Sequence, residues 1–127
     1  MEPSQLENAL QKAWCKETSA DCANWTAKNP AWGQCVVTSL LVNDYFGGKI
    51  VWAEALLPNG TKISHYFNFI NEMEIDLTQE QFPNGTIIPQ GVDKKKGFET
   101  TRDYVLSYFS TKERYELLKN KVRKLIE

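Results

Sequence analysis

Hydrophobic positions recur every three to four residues at the start of the chain, where Leu6, Leu10, Ala13 and Trp14 share one side of a predicted helix. Ser4 and Glu7 form an S-x-x-E capping signature, which sets the expected start of that helix at Ser4. The periodicity stops near Thr18. Between residues 18 and 33 no repeat is visible, and Asn29-Pro30 interrupts any regular element. This stretch reads as an ordered loop, because Trp25 and Trp32 carry large surfaces that favour burial. A second helix is predicted from about Gln34 to Phe46. Val36, Val37, Leu40, Leu41 and Tyr45 give it a broad apolar stripe, and Gly47-Gly48 end it with the left-handed cap that glycine tolerates.

The pattern then changes from helical to extended. Lys49 to Leu57 is apolar at most positions and is expected to be a strand covered on both faces. Pro58-Asn59-Gly60 signals a turn, and Thr61 to Ile70 is rich in β-branched and aromatic residues, so the two runs should pair as an antiparallel hairpin. Asn71-Glu72 leads into a third short strand, Met73 to Leu77. Residues 79 to 98 hold three glycines and two prolines and read as a long surface loop, with one further short strand at Thr86-Ile87-Ile88. Two helices close the chain. One begins near Thr100 or Thr101; the other is announced by a second capping signature, Ser110-x-x-Glu113, with Leu118, Val122 and Leu125 as its inner stripe. The order helix, helix, three-stranded meander, helix, helix defines an α+β fold, expected as a single domain over residues 1–127.

Composition narrows the function classes. A 127-residue chain with 42% hydrophobic and 24% charged residues is large enough for a core without disulfides. A net charge of −1 provides no field for nucleic acid or an anionic membrane, so neither is an expected partner. No apolar run approaches the roughly 18 residues of a membrane span. Met1-Glu2-Pro3-Ser4 lacks a basic and apolar secretory leader, and the sequons at Asn24, Asn59 and Asn84 are taken as chance matches. Three cysteines are an odd number and suggest reduced thiols in a cytoplasm.

One cysteine stands apart. Cys35 follows Pro30-Ala31-Trp32-Gly33-Gln34 and opens the second helix, where unpaired N–H groups and the helix dipole favour a thiolate. The chain's single histidine, His65, lies on the second strand, and Asp76 follows eleven residues later across a tight turn. Side chains alternate along a strand, so His65 shares a face with Ile63, Phe67 and Phe69, the face expected to meet the helix. An imidazole there needs partners for both nitrogens, and a thiol and a carboxylate would supply them. Cys35 is thus the expected nucleophile, His65 the base and Asp76 its orienter. The Cys35 backbone N–H and the Gln34 amide are candidate oxyanion donors, and Trp32 and Trp25 candidate substrate-binding residues.

Plainer readings stand beside these. By position alone a cysteine like Cys35 is usually a small core residue and a histidine like His65 a satisfied core histidine, while Asp76 also reads as a turn cap and the two tryptophans equally as core anchors. Asn68 and Asp44 are rival orienters, although Asn68 points to the other strand face and Asp44 lies more than two turns down the helix. A zinc site from Cys15, Cys22, Cys35 and His65 lacks any C-x-x-C pair, so neither metal nor cofactor is expected. Lys94-Lys95-Lys96 and Lys119, Lys121, Arg123 and Lys124 read as solvated surface.

The segments NPAWGQCVVTSLLVNDYFGG, HYFN and IDLTQEQF resemble the bacterial YunG-like family. More broadly, residues 14 to 85 look similar to the papain-like group of small Cys–His–Asp proteins, which includes transglutaminase-like enzymes and glutamine-deamidating toxins. The resemblance implies a papain-like core, with Cys35, His65 and Asp76 as a triad and the Cys35 helix packed on an antiparallel sheet. It departs from papain at Gln34, since the helping glutamine there lies several residues before the cysteine. The expected function is a cysteine-dependent amide hydrolase or acyl transferase, peptidase-like or glutamine-deamidase-like, working through a thioester. Its substrate would be a peptide, a protein or a small amide, and the chain a monomer or a homodimer formed through the last helix. The alternative is a non-catalytic binding or regulatory module that retains the fold.

Overall fold

An antiparallel hairpin made of apolar, β-branched and aromatic residues organises the chain, because helices can cover one of its faces and a loop the other. The computed structural model describes residues 1–127. Its elements are α1 (Pro3–Ala13), α2 (Cys35–Phe46), β1 (Lys49–Leu56), β2 (Lys62–Ile70), β3 (Met73–Ile75), α3 (Thr101–Leu106) and α4 (Phe109–Ile126), with 3-10 turns at Lys16–Thr18 and Gln79–Gln81. The sheet has the order β1-β2-β3, antiparallel throughout. The α+β class and the three-stranded meander are as the pattern predicts. No helix is long and apolar enough to cross a membrane.

The register assigns the faces. Ile50 lies opposite Asn68, and Ala53 opposite His65. Ile50 and Ile70 join Leu6, Leu10, Val37, Leu40, Leu41, Leu118 and Val122 in one core of 17 buried residues shared by sheet and helices. Asn68 faces the same way, and its Nδ2 donates to the Ser39 carbonyl of α2 at 3.0 Å. The opposite face carries Val51, Ala53 and Phe67, a small separate cluster with Phe69 and Ile88 against it. Gly91 lies so close to this face that a Cβ would stand 2.4 Å from the Val51 side chain. His65 therefore belongs to the loop-covered side, not to the helix-covered side as the alternation suggested. Moreover β3 pairs only with Asn68–Ile70. The His65 half of β2 thus has no strand beside it on that edge.

Several local expectations are corrected. The Glu2 N–H donates to Gln5 Oε1 at 2.8 Å, and Pro3 occupies the first turn, so α1 starts ahead of Ser4. Only Ser107 and Tyr108 separate α3 from α4, and this short connection starts α4 at Phe109, leaving Ser110 inside the helix rather than at its cap. At α3 the reading holds: Thr100 Oγ1 accepts from the Asp103 N–H at 3.0 Å. Tyr45 and Leu125 are 39% and 48% exposed, because the last turns of α2 and α4 run past the core. Strand β3 stops at Ile75, two residues short. The Thr86–Ile88 strand reduces to a bridge between Ile87 and Leu56, with a second between Val92 and Trp52, so this loop follows the outer edge of β1.

Leu118 and Leu125 test this packing on one helix. Leu118 has no exposed surface, and Leu118→Ala is expected to cost about 2–5 kcal/mol. Leu125→Ala is expected to cost less than about 0.5 kcal/mol. Urea unfolding of both variants measures the difference.

Candidate active site

The start of α2 is built from buried polar contacts. Gln34 precedes Cys35 and is fully buried; its Oε1 accepts from Thr18 Oγ1 at 2.8 Å and its Nε2 donates to the Cys15 carbonyl at 2.9 Å. Gly33 has φ +73°, and a Cβ there would lie 2.2 Å from Ser19 Oγ, so this position requires glycine. Its N–H donates to Gln81 Oε1 at 3.1 Å, while Gln81 Nε2 donates to the Thr78 carbonyl at 3.0 Å. One glutamine therefore ties the loop before Cys35 to the loop after Asp76. Trp25 Nε1 donates to the Pro30 carbonyl (2.9 Å) and Trp32 Nε1 to Asp21 Oδ2 (3.0 Å), so both indoles brace the 20–33 loop.

This arrangement fixes where an oxyanion could be held. Fully buried, with Oε1 accepting from Thr18 and one Nε2–H given to the Cys15 carbonyl, Gln34 anchors the helix start. The first α2 amide that finds a carbonyl is Thr38, which donates to Gln34 at 3.0 Å. The N–H groups of the preceding turn, at Cys35, Val36 and Val37, are left as the helix's free donors.

His65 is fully buried. Its Nε2–H donates to Asp76 Oδ2 at 2.6 Å, and Asp76 Oδ1 in turn accepts from the Thr78 N–H at 3.2 Å. The ring stacks on Phe67 at 5.5 Å between centroids and meets Phe82 edge-on at 5.0 Å. Its other nitrogen, Nδ1, is buried with no hydrogen-bond partner. Burial opposes charge on this ring, but the hydrogen bond and charge of Asp76, together with the influence of Cys35, outweigh it, raising the pKa to about 9. Cys35 does not occupy Nδ1 in hydrogen-bonding geometry. The structure joins His65 directly to Asp76 and places Cys35 near enough to influence the charge on the ring.

Cys35 also opens onto a groove of about 340 Å³ lined by Val36, Ser64, Tyr66, Lys94, Tyr104, Tyr108 and Arg114 among others. His65 is not among its lining residues and is shielded from water. Trp25 and Trp32 are not among the lining residues. A cavity beside Asp93 and Arg102 contains neither Cys35 nor His65. The rival orienters are engaged elsewhere, Asn68 with Ser39 and Asp44 with Arg102 at 2.8 Å and with the Tyr115 hydroxyl. All three cysteines are free, and the four residues weighed for zinc do not gather into a metal-ligating group. Sequence reasoning missed Arg114 and Lys94. Both sit in strongly charged stretches that look like ordinary surface, and only the folded groove separates them from their neighbours.

The YunG protein family matches residues 2–127, a span that includes the Cys35 helix, the His65 strand and the Asp76 loop. The chain belongs to that family. It is 36% identical over 73 residues to "Uncharacterized protein YunG" of Bacillus subtilis (strain 168), an alignment covering 58% of this chain and 56% of the relative. The chain thus spans about half the length of the curated relative it matches. No solved structure matches it.

The raised His65 pKa links stability to pH. A pKa of 6.5 unfolded and about 9 folded means the contribution is complete below pH 6.5 and lost as pH rises through 9. At most, on the order of 3 kcal/mol is involved. Urea unfolding at pH 6 and pH 9 is expected to show this decline, and Asp76→Asn to flatten it.

Proposed function

We propose that this protein is a cysteine-dependent amide hydrolase or acyl transferase built on a papain-like arrangement of Cys35, His65 and Asp76. One observation carries the reading: a buried imidazole clamped to Asp76 through Nε2 at 2.6 Å, with Nδ1 unpartnered and Cys35, at a helix start, influencing its charge. With its pKa raised to about 9, His65 is an imidazolium at neutral pH, and the nucleophile in this reading is the sulfur of Cys35 in its reactive thiolate form. The thiolate attacks the acyl carbon, and the oxyanion that forms is held by free N–H groups of the first α2 turn. His65 Nδ1–H then protonates the leaving nitrogen as the C–N bond breaks, leaving a thioester on Cys35. Neutral His65 next takes a proton from water, which attacks the thioester, releases the carboxylate and restores the thiolate. In acyl transfer an amine replaces the water. The substrate is a peptide, a protein or a small amide, and the setting a reducing cytoplasm in which the three cysteines stay thiols.

Peptide-resolved alkylation by iodoacetamide tests this without knowledge of the substrate. At pH 7, Cys35 is expected to react at least about tenfold faster than exposed Cys22 of the same chain. His65→Ala is expected to remove the excess. Equal rates at the two cysteines, unaffected by His65→Ala, would instead favour a non-catalytic binding module.

A further inference from the structure

The groove above Cys35 carries two cations and no acid. Lys94 and Arg114 line it, and no Asp or Glu does. Neither cation has a carboxylate partner: the ion pairs of the chain involve Lys49, Lys62, Lys95, Arg102 and His65. Lys94 Nζ lies 4.3 Å from the Trp52 ring centroid and 6.0 Å from that of Tyr66, which places it against aromatic faces rather than free in solvent.

Arg114 is less satisfied still. Its only hydrogen bond runs from Nη2 to Thr111 Oγ1 at 3.3 Å, and its Nε–H is buried with no acceptor. Desolvation lowers its pKa, the mark of a partly buried cation lacking a counter-charge. Arg102 shows how a structural arginine is treated in the same molecule. It pairs with Asp44 at 2.8 Å and also donates to the Leu40 carbonyl, Asn43 Oδ1 and the Tyr115 hydroxyl. An arginine kept half-buried without such partners, beside a nucleophile, suits a ligand that brings the missing charge.

We propose that the substrate carries a carboxylate, received by the Arg114 guanidinium with Lys94 as a second positive charge, while the scissile amide lies over Cys35. The planar fork of a guanidinium matches a carboxylate edge, whereas Lys94 acts as a point charge. The three tyrosines of the groove, Tyr66, Tyr104 and Tyr108, supply apolar faces for the carbon skeleton between carboxylate and amide. The substrate class is then an amide bearing a nearby carboxylate. This inference rests on Cys35 as the nucleophile of the proposed function, yet it is read separately from catalysis.

The test compares two reagents that differ in charge. Rates of alkylation by iodoacetate and by neutral iodoacetamide are measured at Cys35 and Cys22 in the full chain, resolved by peptide mass. The iodoacetate-to-iodoacetamide ratio cancels the intrinsic reactivity of each thiol, so an ordinary Cys35 would defeat the catalytic reading while the ratio still reports anion recognition. At low salt the ratio at Cys35 is expected to exceed that at Cys22 by about tenfold or more. Because the His65 charge also attracts iodoacetate, the variants decide: Arg114→Gln is expected to lower the ratio several-fold, and Lys94→Gln to lower it less. An unchanged ratio in Arg114→Gln overturns the proposal. If that variant does not fold, a Lys94→Gln ratio equal to the wild-type ratio, together with no salt dependence, overturns it. Inorganic phosphate protecting Cys35 from iodoacetate better than acetate does would reassign the anion and overturn the carboxylate assignment.

Discussion

A buried imidazole held by one carboxylate is the interaction on which the arrangement of this molecule turns. His65 is surrounded by Phe67 and Phe82, an environment that by itself would keep the ring neutral. Asp76, placed 2.6 Å from Nε2 by the turn after β3, reverses that preference. The consequence is a positive charge stored under the sheet's loop-covered face, with its second nitrogen unclaimed and a thiol nearby. In the proposed reaction, the proton that steadies the folded chain is also the one passed to the leaving nitrogen.

The supporting contacts explain why three distant segments hold together. Gln81 bridges Gly33 and the Thr78 carbonyl, so the segment before the thiol and the segment after the carboxylate cannot drift independently. Gln34 fastens the other side of the same loop to Cys15 and Thr18. Buried amides of this kind specify geometry strongly, because leaving either end unpaired costs roughly 1–3 kcal/mol. The sheet contributes by omission. The shortness of β3 leaves the His65 half of β2 without a strand neighbour on that edge.

The groove adds an electrostatic asymmetry to this centre. The chain as a whole is close to neutral, with a net charge of −1, yet the surface beside Cys35 presents Lys94 and Arg114 with no acid among its lining residues. Net charge therefore says little about which ligands such a site favours. The relevant quantity is the pairing of individual cations: Arg102 pairs with Asp44, whereas Arg114 has no carboxylate partner.

Much of the fold was legible because local rules agree with it: the apolar stripe and the double glycine bound α2, and Pro58-Asn59-Gly60 sets the hairpin whose register places His65. Cys35, His65 and Asp76 stood out by residue type and by position on predicted elements. Periodicity could not show that helices cover the Asn68 face rather than the His65 face, since both faces of β2 carry apolar or aromatic residues. Nor could it show that the Gln34 amide turns inward or that Arg114 lacks a counter-ion, because each depends on groups distant in sequence. Sequence alone determined the elements and the chemical candidates, through short-range preferences of backbone and side chain. Tertiary packing decided which nitrogen, amide and guanidinium remained free, because only the folded chain determines which polar groups find partners.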